Sequence, residues 1–169
     1  ADRLQPRYEV AFNFDVVVPR RTGHRLRTIN GAEIRVEGTD GDFNINNVNG
    51  RITLVNIRGG GTAESVNGAV TVAFAAAPWA ASRFKTLNGD VEATLPAELA
   101  ADFALKTHNG ELLTDFDVQP LSQLVGTPER RNGGFAYRPD GFTRLRVGNG
   151  GPELSLETFN GDVRVLRAR

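Results

Sequence analysis

The sequence predicts an all-β protein folded as a parallel β-helix, built from coils of roughly 18–21 residues with Asn-Gly corners. Asn-Gly pairs recur at a nearly constant interval, and residues of one type recur at fixed distances on either side of them. Apolar and polar residues also alternate with period two, which places one set of side chains inward on a strand. Val, Ile, Thr and Phe are frequent in these stretches, and they fit a pleated sheet.

The corners are the most regular feature of the chain. Five Asn-Gly pairs are separated by 19, 18, 21 and 21 residues, and a sixth follows after 51. Asn and Gly tolerate the positive φ of a sharp turn, so the pairs are predicted to be structural turns. The predicted turn residues are Asn30, Gly31, Asn49, Gly50, Asn67, Gly68, Asn88, Gly89, Asn109, Gly110, Asn160 and Gly161.

Each corner belongs to a longer repeat. An apolar residue stands four before most of the Asn residues, Thr, Ser or Asn stands two before, and a further apolar residue follows two after the Gly in most copies. One copy buries perhaps four apolar side chains at about 1.5–3 kcal/mol each. Ordering its residues costs on the order of 20–40 kcal/mol. A single repeat therefore cannot fold alone, and successive repeats are expected to lie directly over one another in chain order.

Antiparallel hairpins are the structural alternative. Asn-Gly between apolar runs is also the strongest short-range signal for a hairpin, and the alternation around Asn160 suits a two-residue turn. The constant spacing and the repeated residue types favour parallel repeats, stacked about 4.8 Å apart.

The repeat carries a family resemblance. The unit T-x-N-G-x-V, with KTLNGDVEATLP at 85–96 and KTHNGELLTDF at 106–116, resembles the bacterial putative-adhesin family, first catalogued as a domain of unknown function. The resemblance extends from about residue 16 to 165. It implies an exported β-helical domain of the cell surface or periplasm, with no assigned catalytic residues.

The chain is predicted to form a single domain, 1–169. Its parts are an N-terminal amphipathic strand at 1–19, regular coils at 20–116, an irregular loop or hairpin segment at 117–148, and a final coil at 149–169. In the irregular segment, 135–137 and 142–147 are predicted as strands of a hairpin or as an irregular coil, because Pro and Gly interrupt the repeat.

The N-terminal strand lacks the Asn-Gly unit and is expected to serve another purpose. It is predicted either to cap its own chain or to exchange with a neighbour, which would build a homopolymer. The residues that would form the self-assembly strand are Tyr8, Val10, Phe12, Phe14, Val16 and Val18.

Composition excludes several classes of protein. The 20 basic and 20 acidic residues balance, so the overall basic footprint of nucleic-acid binding is lacking. No run of 18 apolar residues predicts a membrane span, and the lack of Cys excludes disulfides and thiolate sites. The start at Ala1-Asp2 resembles a mature end left by a signal peptide, although an arbitrary start fits equally. We expect an exported protein, extracellular, on the cell surface or periplasmic.

Few residues suggest chemistry. His24 and His108 are far apart, and His108 is expected to be a partly buried structural residue. Calcium is the alternative for the carboxylates that lie close to the turns, but the GGxGxD unit of calcium-binding repeats does not recur. We therefore predict neither a metal nor another cofactor. The carboxylates considered for calcium are Asp42, Asp90, Glu111 and Asp162.

We predict a non-enzymatic, exported structural or adhesin-like module whose partners are itself or cell-surface components. The first alternative is a subunit of an extracellular filament, built by end-to-end stacking or strand exchange. A further alternative is a carbohydrate-active β-helix enzyme, for which Asp115, Asp117 and Asp140 form the one loose carboxylate cluster.

Overall fold

The computed structural model describes residues 12–30, 33–121, 126–131, 134–139 and 141–168, and within 126–139 it describes the backbone alone. These residues form sixteen strands in three sheets. The large sheet has the spatial order β1 (His24–Thr28), β3 (Phe43–Asn49), β5 (Gly61–Asn67), β7 (Ser82–Asn88), β15 (Glu153–Asn160), β9 (Ala101–Asn109), β14 (Thr143–Val147) and β11 (Val118–Pro120). The small sheet has the order β10 (Leu112–Thr114), β16 (Val163–Arg167), β8 (Val91–Leu95), β6 (Val70–Phe74), β4 (Ile52–Ile57) and β2 (Ile34–Glu37). A separate hairpin joins β12 (Gly126–Arg131) to β13 (Gly134–Pro139).

The described residues are all-β, but the predicted parallel β-helix is wrong. The strands form two sheets, of eight and six strands, and not a closed solenoid. The large sheet is mixed, because β14 runs antiparallel to β9 and β11 runs antiparallel to β14. The segments around β11 and β14 lack the T-x-N-G-x-V unit that carries the chain from one sheet to the other elsewhere. These strands therefore extend the large sheet without adding to the small one.

The repeats also do not stack in chain order. Each of the six repeats contributes one strand to each sheet, but β15 lies between β7 and β9, and β16 lies between β8 and β10. The sixth repeat therefore separates the fourth from the fifth. This order is possible because the repeats have the same residue types at paired positions. Thr158, for example, pairs with Thr86 on one side and with Thr107 on the other. The inserted strands gain backbone partners along both edges.

The core lies between the two sheets. Inward residues four positions before the corner Asn form a column in which Ile45, Phe84 and Leu156 are fully buried. The Phe84 ring packs 6.1 Å from the rings of both Phe43 and Phe74. Leu26 belongs to this column but is 36% exposed, because no described strand covers the far side of β1. The apolar interior therefore reaches solvent at this end.

The Asn-Gly corners lie where the chain passes from the large sheet to the small one. Among the described corners, positive φ occurs at Gly89 and Gly161, with φ of 147° and 149°, and not at the Asn residues; Asn56, with φ 53°, is the single non-glycine residue with positive φ in the described part of the chain. Close approach explains Gly better. A Cβ on Gly68 would lie 2.3 Å from the carbonyl oxygen of Gly50, and one on Gly161 would lie 2.2 Å from that of Gly89. Gly31 lies outside the described residues.

The irregular segment contains a hairpin, but not one between the two stretches considered for it. Residues 135–137 belong to β13 and pair with β12, whereas β14 pairs with β9 and β11. The two stretches expected to form one hairpin therefore belong to different sheets. Local alternation identified both strands but could not identify their partners, because pairing depends on the edge that β9 offers.

The N-terminal segment forms no strand over residues 12–18, and it pairs with neither β1 nor β2 there. Phe12, Phe14 and Val16 are 77%, 86% and 74% exposed. Over these residues, the expected cap on the same chain is not formed. Tyr8 and Val10 lie outside the described residues.

Replacing Gly68 with Ala should test the close approach of the corners. We expect Gly68→Ala to lower the free energy of unfolding by about 2–3 kcal/mol, because its Cβ would overlap backbone atoms that cannot move aside. Gly23→Ala is the control, since its Cβ would lie at an ordinary contact distance of 3.5 Å from the carbonyl oxygen of Asp42. Urea denaturation of both variants measures the difference, and equal losses of stability would contradict the interpretation.

Candidate binding surface

An amide ladder runs along the corners. In spatial order, each corner Asn after Asn30 donates from its side-chain Nδ2 to the Oδ1 of the Asn before it, at 2.7–2.9 Å. Such ladders are typical of identical residues stacked at the strand spacing. The ladder passes through the inserted sixth repeat without a break. Its members, in order, are Asn30, Asn49, Asn67, Asn88, Asn160 and Asn109.

Hydroxyl groups form hydrogen bonds on the inner side of the same corners. Each of four Ser or Thr residues, two positions before the corner Asn, donates to the carbonyl oxygen of the corner Gly in the neighbouring repeat, at 2.8–2.9 Å. This bond satisfies a carbonyl group next to the core, where an unpaired acceptor would be costly. The sequence showed the column of small polar residues but not its role. The four donors are Ser65, Thr86, Thr158 and Thr107.

The residues immediately before the corner Asn point outward. Ile29, Leu87 and Phe159 are 57%, 45% and 45% exposed, and Val66 is 38% exposed. They form an apolar column on the outer face of the large sheet, because the residue two before the Asn points inward and strand side chains alternate. In spatial order, the column consists of Ile29, Val48, Val66, Leu87, Phe159 and His108.

The predicted burial of His108 is wrong. Its side chain is exposed at the end of the apolar column, and its ring stacks on Phe159 with centroids 4.6 Å apart and planes 11° apart. His24 is partly buried at the start of β1. The two histidines lie on strands at different positions of the large sheet and do not form one site.

A charged column lies beside the apolar one. Glu157 accepts ion pairs from Arg83 at 3.3 Å, Lys85 at 3.3 Å and Lys106 at 3.9 Å. Exposed pairs of this kind stabilise a fold little, and they offset only part of the positive charge at the centre of the face. At the β1 end, Arg25 and Arg27 are exposed, and neither has a carboxylate within 4.0 Å among the described residues. These two arginines therefore supply positive charge that no described carboxylate pairs with.

A shallow groove of about 480 Å³ crosses β1, β3, β5 and β7 on this face. We call it the β1–β7 groove. Arginine side chains from β1 line one end, asparagines from β3 line the next part, and apolar residues of the outward column line one side. The residues that bear on its chemistry are Arg25, Arg27, Asn44, Asn46, Val48, Glu64, Val66, Lys85 and Leu87.

Two of the four carboxylates considered for calcium, Asp90 and Asp162, are engaged in the corners. Asp90 Oδ1 accepts the backbone N–H of Asp162 at 2.9 Å, and Asp162 Oδ1 accepts that of Glu111 at 3.0 Å. Arg164 donates to both aspartates, at 2.8 and 2.6 Å. The hydrogen bond from Asp162, aided by Arg164, lowers the pKa of Asp90 below its ordinary value against a smaller opposing effect of burial. Within the described ranges, no group of three or more His, Asp or Glu side chains could hold a metal ion.

Two of the three carboxylates considered for an enzyme form hydrogen bonds with the same residue, Arg167. Asp115 Oδ1 accepts the backbone N–H of Arg167 at 2.8 Å, and Asp117 Oδ2 accepts its guanidinium at 2.9 Å. Asp140 lies outside the described residues. The two described carboxylates therefore anchor the end of β16 to the segment that leads into β11.

A bidentate ion pair holds β14 against β9. Arg146 donates to both oxygens of Asp102, at 2.7 and 2.8 Å, and the two residues are register partners. The hydrogen bond from Arg146 lowers the pKa of Asp102 below its ordinary value, with a smaller opposing contribution from burial. This pair marks the place where the parallel repeats give way to antiparallel strands.

Comparison with known proteins gives one informative structure. The chain matches no protein-family model, and no curated protein matches it in sequence. A crystal structure from Clostridium sporogenes, described as a putative cell adhesion protein, matches with a TM-score of 0.50 and 8% identity. The match covers 76% of this chain and 56% of that one. At this identity the likeness shows a shared fold alone. In the part of the chain that the structure describes, no helix is long and apolar enough to cross a bilayer.

Replacing Asp102 with Asn should weaken the fold in a pH-dependent way. The folded-state pKa of Asp102 is depressed, so its pair with Arg146 contributes stability above the ordinary pKa, which is about 3.9, and loses it as pH falls through the folded-state value. We expect Asp102→Asn to lower the urea midpoint near pH 7. At a pH below the folded-state pKa of Asp102, the variant and the parent protein should have the same urea midpoint. Asp117→Asn, whose carboxylate is fully exposed, is the control and should change little at either pH. A loss for Asp102→Asn that is the same at every pH would contradict this account.

Proposed function

We propose that the protein is a non-enzymatic, exported, adhesin-like module that binds cell-surface components through the outer face of its large sheet. The apolar column is the observation that carries the proposal. Single exposed apolar side chains are ordinary, but this column is apolar across five neighbouring strands, ends on His108 and runs beside the amide ladder. A rigid sheet can present such an array with little loss of conformational entropy on binding.

Three further observations support the proposal. The structural neighbour from Clostridium sporogenes is described as a putative cell adhesion protein. The recurring T-x-N-G-x-V unit resembles that of an exported adhesin family, which supports export and a surface location. Asp115 and Asp117, the two described carboxylates considered for hydrolysis, are engaged by Arg167, which supports a binding role over a hydrolytic one.

Polar substitution in the apolar column should abolish binding without unfolding the protein. We expect the Leu87→Ser/Phe159→Ser variant to lose attachment to bacterial or host cell surfaces, measured with the fluorescently labelled protein. Both side chains are 45% exposed, so the melting temperature should change little. Leu113→Ser is the matched control, because Leu113 is 40% exposed on the small sheet, and it should retain binding. Failure of the parent protein to attach, or equal loss in the control, would contradict the proposal.

Self-assembly is the second candidate function, and the exposed N-terminal segment favours it. Phe12, Phe14 and Val16 alternate with polar residues over the length of a strand, and they are at least 74% exposed. The outer edges of β2 and β10 have no described partner strand. Unpaired edges accept strands from other chains, so this segment of one copy could pair with an edge of the next. Repetition would build a filament.

Removal of the segment should abolish any assembly. We expect the full chain to sediment faster as its concentration rises and to form fibres in negative-stain images, and a chain lacking residues 1–19 to stay monomeric. Phe12→Asp/Phe14→Asp should behave like the deletion, whereas Asn13→Asp, on the other side of the alternation, should behave like the full chain. Monomers for both the full chain and the deletion would contradict self-assembly.

A further inference from the structure

Two arginines on β1 are free to bind an anion. Arg25 and Arg27 are two residues apart on one strand, so both point to the outer face, where they line the β1–β7 groove. By contrast, Arg83 pairs with carboxylates on the same face. A guanidinium matches a carboxylate through two parallel hydrogen bonds. The β1 end of the groove therefore offers two forked donors that the described part of the chain leaves unused.

The next part of the groove presents hydrogen-bonding groups suited to hydroxyls. Asn46 Nδ2 donates to Asn44 Oδ1 at 2.9 Å, and this bond orients both amides. It leaves donors on Asn44 and an acceptor on Asn46 directed at solvent. A polyhydroxylated ligand requires this mixture of donors and acceptors.

The spacing of the apolar residues along one side of the groove suits a polymer with a regular repeat. Val48, Val66 and Leu87 come from successive strands of the large sheet, about 4.8 Å apart. The C–H face of a pyranose ring packs on apolar side chains, and an extended polysaccharide advances per sugar by a distance close to this strand spacing. One chain could therefore place consecutive sugars over consecutive strands.

The charge of the groove argues for an acidic polysaccharide over a nucleic acid. Its described lining carries Arg25, Arg27 and Lys85 against a single carboxylate, Glu64, and Lys85 is already paired with Glu157. Duplex DNA carries one charge per about 1.7 Å and needs many basic contacts. Single strands need aromatic side chains for base stacking, and none of the described lining residues is aromatic. A polymer with sparser charges and many hydroxyls fits better.

From these contacts we infer that the β1–β7 groove binds an acidic, carboxylate-bearing polysaccharide that lies across β1, β3, β5 and β7. Arg25 and Arg27 hold carboxylates, the amides of Asn44 and Asn46 bind hydroxyls, and the apolar column packs against the sugar rings. The inference rests on the proposed binding function and specifies the chemistry of its ligand.

Binding to immobilised polygalacturonate, measured by biolayer interferometry, tests the inference. We expect Arg25→Gln/Arg27→Gln to weaken binding by about 10- to 100-fold, the effect of losing hydrogen bonds to a charged group. Arg25→Lys/Arg27→Lys keeps both positive charges but cannot form the two parallel hydrogen bonds of a guanidinium, so it should bind with intermediate affinity. Arg35→Gln/Arg51→Gln removes the same charge from β2 and from the corner before β4, and it should bind like the parent protein. Thermal melting of each variant verifies its fold.

The other ligands and the cell-binding assay separate the outcomes. Neutral dextran, dextran sulfate and single-stranded DNA should bind more weakly than polygalacturonate, and tighter binding to any of them would overturn the inference. Equal affinity of the parent protein and Arg25→Gln/Arg27→Gln for polygalacturonate would also overturn it. If that variant still attached to cells, the proposed function would stand while the inference failed. If the parent protein bound neither cells nor polygalacturonate, both would fail.

Discussion

The close contact between neighbouring corners is the constraint on which the rest of the structure depends. The α-carbons of Gly68 and Gly161 lie so close to the backbone of the adjacent repeat that a Cβ on either residue would overlap it. This approach brings the corner amides within hydrogen-bonding distance of one another and brings the Thr86 hydroxyl within reach of the Gly68 carbonyl. The register of the parallel strands in both sheets follows, because each strand of a repeat begins or ends at a corner. The inward and outward columns are consequences of that register.

The sequence could predict the corners and the strands but not the order in which they stack. Periodicity locates each repeat along the chain, and alternation distinguishes the two faces of a strand. Neither pattern determines the order of the repeats in the sheets. Thr158, for example, pairs with a Thr on either side, Thr86 on β7 and Thr107 on β9. A pattern of identical units contains no information about which unit is the neighbour. Only the strands without the unit, β11 and β14, show that the array is interrupted.

The candidate site was visible in the sequence only in part. The apolar residue before each Asn is recognisable as part of the repeat, yet its outward direction follows from the inward hydrogen bond of the hydroxyl residue one position earlier, which the sequence does not display. His108 was therefore expected to be partly buried, although it lies exposed on Phe159. A zero net charge also concealed the local excess at Arg25 and Arg27, since whole-chain charge does not reveal which residues share a face. The groove arises from four strands and has no signature within any one of them.

Insertion of the sixth repeat makes the outer face of the large sheet depend on the C-terminal part of the chain. Phe159 lies between Leu87 and His108 in the apolar column, and Glu157 lies between Lys85 and Lys106 in the charged one. Before β15 is in place, β7 and β9 have no backbone partner between them, so the two parts of the face cannot be continuous. The large sheet thus becomes one surface only when residues 153–167 have docked. Because the entropy of closing long loops opposes contacts this distant in sequence, we expect the continuous outer face of the large sheet to be the last feature of the fold to form.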